Sequence, residues 1–307
     1  MKTFREMGFG KNITQVGVIK IEEKKARNGK VYSNITLSDG TETIEAKMWA
    51  DPNRLAFNTG NVLEVEIDKS DYQGASSYIV NSASVLDIPI EDYLPHAPII
   101  ESDCFNELMD TIHSIFDDDI RTVSESIMND YAEEFKRWTA AMHVHHNYFK
   151  GLLYHTVRML RSAKKLAEVY NVNTDVLYAS TILHDIAKIK EYSMDAVGGT
   201  TVSVDGTLYG HIVMGIEMID KYSIESGINP FETESIKMIK HCIMAHHGKL
   251  EYGSPVLPAT KEAMLLHEID TIDAQMWQYE TEESKIEEGT TSDKCFGLGT
   301  RVYKSKF

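Results

Sequence analysis

At 307 residues the chain is about twice the usual size of one domain, and its 42% hydrophobic and 25% charged residues exclude a disordered or fibrous protein. A net charge of −16 argues against a nucleic-acid partner, yet residues 1–90 hold 11 Lys+Arg against 12 Asp+Glu, while residues 91–307 hold 20 against 35. The objection falls on the second part alone, where most of the acid reads as a solvated helical surface.

Residues 1–90 read as short strands and turns. Val31–Leu37 and Thr43–Trp49 alternate around the turn Ser38-Asp39-Gly40, and Val62–Ile67 and Ser77–Val80 follow. Five or so strands at this spacing predict a small all-β barrel of the OB type, with a three-layer sandwich fragment the less economical alternative. Residues 91–101, in a stretch where Pro89, Pro95 and Pro98 cluster, read as a linker. From residue 102 the period turns helical, with Phe105, Leu108, Met109, Ile112, Ile115 and Phe116 on one stripe, and an all-α domain over 102–278 follows. The fold class is thus multidomain, a β-barrel followed by a helical domain. The tail, 279–307, is polar and then apolar, and the sequence does not decide its fold.

No apolar run reaches the roughly 18 residues of a membrane span, and the start lacks a signal-peptide apolar stretch, so no membrane partner is expected. The three cysteines (Cys104, Cys242 and Cys295) are scattered, which points to a reducing cytoplasm.

The chemistry sits in the helical part. His155 lies in Gly151-Leu-Leu-Tyr-His155, His184 and Asp185 in Ile182-Leu-His-Asp-Ile-Ala-Lys188, and His211 in Tyr209-Gly-His211. His246 and His247 precede Gly248, and Asp270 lies in Asp270-Thr-Ile-Asp273. Each stands at the edge of an apolar stripe on a successive helix, so a bundle can converge the set on its core. One buried histidine is more often a hydrogen-bonded core residue than a ligand. The ordered set is what points to a metal. Neutral imidazoles with a carboxylate suit Mn, Fe, Co, Ni or Zn, and the absence of cysteine argues against a structural zinc site. Adjacent His184 and Asp185 diverge by about 100° on a helix, so both reach one centre only where helices cross. A bridging Asp185 would allow two metals about 3.5–4 Å apart. Lys188 shares the face of His184 and could reach a phosphate oxygen or a leaving group.

This order and context resemble the HD superfamily of metal-dependent phosphohydrolases. With the barrel, His145-His-Asn147, Leu208-Tyr-Gly-His211, Ala245-His-His-Gly-Lys249, Glu251-Tyr-Gly-Ser-Pro255 and Ile44-Glu-Ala-Lys-Met-Trp49, the chain is similar over nearly its whole length to the YhaM-type 3′→5′ exoribonucleases. The resemblance implies that His155, His184, Asp185, His211, His246 and Asp270 carry divalent metals, with His247 a further ligand. It also implies manganese, with Mg among the alternatives, and single-stranded RNA, or DNA, trimmed from the 3′ end. His145 and His146 are left between a role behind the ligands and plain helix-start positions. The expected mechanism is phosphodiester hydrolysis by a metal-activated hydroxide, with Asp185 and Lys188 catalytic. Asp273 either orients a ligand or is an ordinary surface acid.

On the barrel, Lys24, Lys25, Arg27 and Lys30 form a basic loop beside Tyr32, an expected nucleic-acid contact. Four such charges in seven residues are common on surfaces. Trp49, Tyr72 and Tyr78 are further aromatic candidates, although Trp49 is expected to fill the barrel core. A homo-oligomer, gathering several barrels around one entrance, is compatible with this reading. Two alternatives remain: an HD-type nucleotide or cyclic-dinucleotide phosphohydrolase, and a non-catalytic nucleic-acid binder.

Overall fold

The computed structural model describes residues 2–26, 28–72, 74–140, 148–195 and 197–307. The chain divides into two compact units, Met1–His96 with Met194–Gly199, and Ala97–Ser193 with Thr200–Phe307.

The first unit is built from β1 (Gly10–Lys25), β2 (Val31–Ser38), β3 (Thr43–Met48), β4 (Val62–Tyr72) and β5 (Ala75–Leu86). β1 is long enough to serve two neighbours. Gly10–Gly17 pair with β4, and Gly17–Lys25 pair with β2 past an irregularity between Val18 and Lys20 that bends the strand. β2 pairs with β3, β4 with β5, and a short parallel pairing of β3 with β5 closes the ring in the order β1-β2-β3-β5-β4. This is the OB-like barrel that the alternation predicts. Val16, Val18, Ile35, Leu37, Val65, Ile67 and Val80 fill its interior.

The segment after β5 lies across β1. Tyr93 packs so close to Gly17 that a Cβ there would meet the Tyr93 Cβ at 2.9 Å, and the Tyr93 hydroxyl donates to Gln15 Oε1 at 2.9 Å. Residues 91–96, read as part of a linker, therefore belong to the first unit, with Tyr93 and Leu94 buried. Trp49 departs from expectation too. Ala46 points into the barrel, so the period of two turns Lys47 and Trp49 outward, and Trp49 is 47% exposed.

The second unit contains α1 (Glu101–His113), α2 (Asp118–Asp130), α3 (Ala132–Arg137), α4 (Gly151–Ala167), α5 (Thr174–Leu183), α6 (Lys188–Glu191), α7 (Val204–Glu225), α8 (Glu234–Ala245) and α9 (Lys261–Ser284). Side-chain caps set several starts: Asp117 accepts from the Ile120 amide, Asn173 from Asp175 and Val176, and Thr260 from Ala263. α4, α5, α8 and α9 pack through Leu153, Val157, Leu177, Leu183, Ile243, Leu266 and Ile269. The stripe read as running to Phe116 stops earlier. α1 ends at His113, and Phe116 is 90% exposed in a turn whose amides are taken by Asp175.

A hairpin of β6 (Tyr192–Met194) and β7 (Thr200–Val202) precedes α7. The tail is ordered: after α9 it forms a second hairpin, β8 (Thr291–Lys294) with β9 (Arg301–Tyr303). Cys104, Cys242 and Cys295 are free. No helix among the described residues is long and apolar enough to cross a membrane.

Ile35 is fully enclosed, so Ile35→Ala is expected to cost about 2–5 kcal/mol in urea unfolding followed by tryptophan fluorescence, while Phe116→Ala should stay within about 0.5 kcal/mol.

Candidate metal centre

Helix ends do most of the positioning. α4 presents His155 from its interior. α5 stops at Leu183, and residues 184–187 form a turn in which the Ile186 amide bonds Leu183 O (3.1 Å) and the Lys188 amide bonds Asp185 O (3.0 Å). The tightened turn aims His184 and Asp185 at the same point, which a continuous helix would not do. α7 is broken at Gly210, whose φ of 70° and ψ of 160° suit glycine alone, and the His211 amide that follows donates to Glu191 Oε1 at 3.2 Å. His246 and His247 follow the end of α8, and α9 supplies Asp270 and Asp273.

The side chains converge on the Asp185 carboxylate, which is 2% exposed. Its Oδ2 lies 3.2 Å from His184 Nε2 and 3.8 Å from His155 Nε2. Its Oδ1 lies 3.5 Å from His211 Nε2 and 3.8 Å from His246 Nε2. Two donor groups result: His155, His184 and Asp185 within 4.8 Å of one another, and His211, His246 and His247 within the same limit. Asp270 Oδ1 adds to the first group, 3.3 Å from His155 Nε2.

The opposite ring nitrogens decide what faces inward. Nδ1 of His184 lies 2.9 Å from Thr181 O, that of His246 2.7 Å from Ile243 O, and that of His247 2.9 Å from Tyr252 O. Carbonyls only accept, so each Nδ1 carries the proton and donates it. His211 Nδ1 donates to Glu191 (3.1 Å) and His155 Nδ1 to Asp273 (2.8 Å). Held this way, the rings of His184, His211 and His246 turn Nε2 lone pairs onto the lone pairs of the Asp185 carboxylate. Nε2 of His184 and of His211 and Oδ1 of Asp185 are buried without a hydrogen-bond partner among the described residues. Acceptor facing acceptor is repulsive unless a cation lies between them, and the donor set suits a divalent transition metal.

Lys188 is the positive group already present, with Nζ 2.6 Å from Asp185 Oδ2. Burial works against the Asp185 charge, but the Lys188 ammonium outweighs it and holds the carboxyl well below the usual range. Asp270 is likewise held down, burial being overcome by its bond to His155. Burial also opposes a proton on His155, yet Asp270 and Asp273 push it up to about 9. His246 and His247 are lowered, first by burial and then by neighbouring imidazoles. The centre opens into a cleft of about 760 Å³ lined by Lys188, Tyr252, His267, Asp270, Gln278 and Phe296, among others.

On the barrel, the Tyr32 and Trp49 rings lie 5.3 Å apart, Lys30 Nζ sits 5.4 Å from Trp49, and Lys47 Nζ 6.0 Å from Tyr32. Lys24 faces Glu22 and Glu45, and Lys25 is exposed. Tyr72 is exposed, and Tyr78 is half-buried with Lys69 Nζ 5.7 Å from its ring. Arg27, His145 and His146 lie outside the described residues.

A family model described as HD domain matches residues 152–275. The 3′-5′ exoribonuclease YhaM of Bacillus velezensis is 33% identical over 307 residues, 97% of this chain and 96% of that protein. The chain belongs to the YhaM family. The Bacillus subtilis member is also 33% identical, over 311 residues and the same shares of both chains. Among solved structures, the single-stranded DNA-binding protein Rim1 of S. cerevisiae matches at 22% identity with a TM-score of 0.23, covering 26% of this chain and 96% of that one.

Sequence reasoning missed two members of this YhaM-family centre. Glu191 orients His211, and its only sequence signal is its place at the end of the short helix begun by Lys188. Arg158 holds Asp273 through Nε at 2.6 Å while its other nitrogens grip Glu280, and no local pattern marks that long-range pair. Asp273, left open between orienting group and surface acid, is buried and bonded to His155.

Glu191→Ala or Asp273→Ala should weaken divalent-cation binding by about 10–100-fold in calorimetric titration. His155 binds its proton up to about pH 9 in the metal-free protein, and a metal must displace it. Affinity should therefore rise from pH 6.5 towards 9, and a flat profile would contradict the assigned partners.

Proposed function

We propose that the chain is a metal-dependent hydrolase, a 3′→5′ exonuclease that cleaves phosphodiester bonds of single-stranded RNA and, secondarily, DNA. The observation that carries this is Asp185, whose two carboxylate oxygens face two different imidazole sets at the floor of an open cleft. The relatives' printed name, 3′-5′ exoribonuclease, supports the substrate and the polarity.

His155, His184, Asp185 and Asp270 would hold one divalent ion, and His211, His246, His247 and the shared Asp185 a second. Manganese is the ion proposed, and Fe, Co, Ni, Mg and Zn suit related donors. When bound, such ions supply charge neutralisation at the phosphodiester and a water acidic enough to attack near neutral pH.

The chain's own groups do the rest. Asp185 and Lys188 are the catalytic pair. The Lys188 ammonium, fixed by Asp185 at the cleft wall, stands where it can bind a phosphate oxygen or the departing ribose oxygen. Glu191 and Asp273 keep His211 and His155 in the tautomer that presents Nε2. On the barrel, Lys30, Trp49, Tyr32 and Lys47 alternate cation and ring, an arrangement that stacks bases and follows a phosphate backbone without reading sequence. Lys24 and Lys25 extend that strip in this reading. The free cysteines fit action in the cytoplasm, and a homo-oligomer would collect one strand on several barrels.

With 5′-labelled single-stranded RNA and Mn²⁺, the protein should give a ladder shortening from the 3′ end that chelator stops. Asp185→Ala should abolish it with an unchanged circular dichroism spectrum. Hydrolysis of a mononucleotide or cyclic dinucleotide with RNA left intact would select the phosphohydrolase alternative instead. Joint Tyr32→Ala and Trp49→Ala substitution should raise KM for long strands about ten-fold or more while sparing a small phosphodiester.

A further inference from the structure

The C-terminal hairpin plays no part in the chemistry above, yet it borders the same cleft. Its turn, residues 295–300, is closed by the Cys295 amide bonding Thr300 O at 2.8 Å and the Gly299 amide bonding Cys295 O at 2.9 Å. Between the strands, Val302 is buried and its amide donates to the buried Ser292 hydroxyl at 3.0 Å. The base is fastened by the Gly289 amide to Lys304 O at 2.8 Å and by Lys304 Nζ to Ile286 O at 3.2 Å. At the tip, Cys295 Sγ meets Gln278 Oε1 of α9 at 3.6 Å, and a Cβ on Gly297 would collide with that same amide.

A turn fixed this firmly still leaves Phe296 fully exposed. Folding gains nothing from a phenyl ring in water, since its contribution comes from burial. Phe296 borders the cleft that also holds Asp185, Lys188 and Asp270, together with Tyr252. At about 760 Å³ the cleft suits a ligand of nucleotide size rather than a duplex.

We propose that Phe296 is a stacking platform for the 3′-terminal base, holding the last phosphodiester over the metal centre. This rests on the exonuclease reading. A strand entering the cleft gives up stacking between its terminal base and the next, and an aromatic face replaces it for any of the four bases. Phenylalanine has no hydrogen-bonding group with which to prefer one base, which suits an enzyme that removes nucleotides in succession. Phe296 is thus a positioning residue.

The test compares two single-stranded RNAs, one ordinary and one whose 3′-terminal residue is abasic, cleaved by the full-length Mn²⁺-loaded protein. Wild type should process the ordinary strand with a KM about ten-fold or more below that for the abasic one. Phe296→Ala should raise KM on the ordinary strand to the abasic level, leave the abasic strand unchanged and bind Mn²⁺ as before, and Phe296→Trp should restore discrimination. Equal slowing of both strands by Phe296→Ala, or no effect on either, overturns the platform. Wild-type protein that cleaves neither strand with Mn²⁺ bound sinks the exonuclease reading itself, and the platform with it.

Discussion

The helical unit is organised around one costly group, the carboxylate of Asp185. A charge withdrawn from water must be met by opposite charge or by hydrogen bonds. Lys188 meets one oxygen. The remaining neighbours are imidazole nitrogens whose protons are committed elsewhere, to Thr181, Ile243 and Glu191. What these rings turn towards Asp185 is therefore lone pairs, a donor set that suits divalent cations. The apolar stripes of α4, α5, α8 and α9 keep that set from relaxing, because Leu153, Leu183, Ile243 and Leu266 beside the ligands are fully packed.

The charge distribution makes sense on the same grounds. An acidic helical unit would repel a nucleic acid at long range, but salt screens fields beyond about 8 Å at physiological strength. What matters is the charge the strand meets at contact. On the barrel the proposed contact is the Lys30 and Lys47 strip with its two rings, and in the cleft it is Lys188.

Much of this was legible in the sequence, for identifiable reasons. Strands such as Val62–Ile67 announce themselves by period two, and the candidate ligand set by residue types that have few other reasons to recur at the edges of apolar stripes. Trp49, expected in the barrel core, faces outward because the inward Ala46 three positions earlier sets the alternation. The turn at residues 184–187 hides inside an apolar run that reads as continuous helix. Arg158 and Glu280 are ordinary helix-surface charges until the fold brings them together across 122 positions. The tail hairpin consists of strands too short, Thr291–Lys294 and Arg301–Tyr303, to display a period at all.

The interruption of α7 at Gly210 has a consequence of its own. An unbroken helix would commit the His211 amide to the carbonyl four residues earlier; at the break that amide donates instead to Glu191 Oε1 at 3.2 Å, so a single carboxylate grips His211 by backbone and ring together.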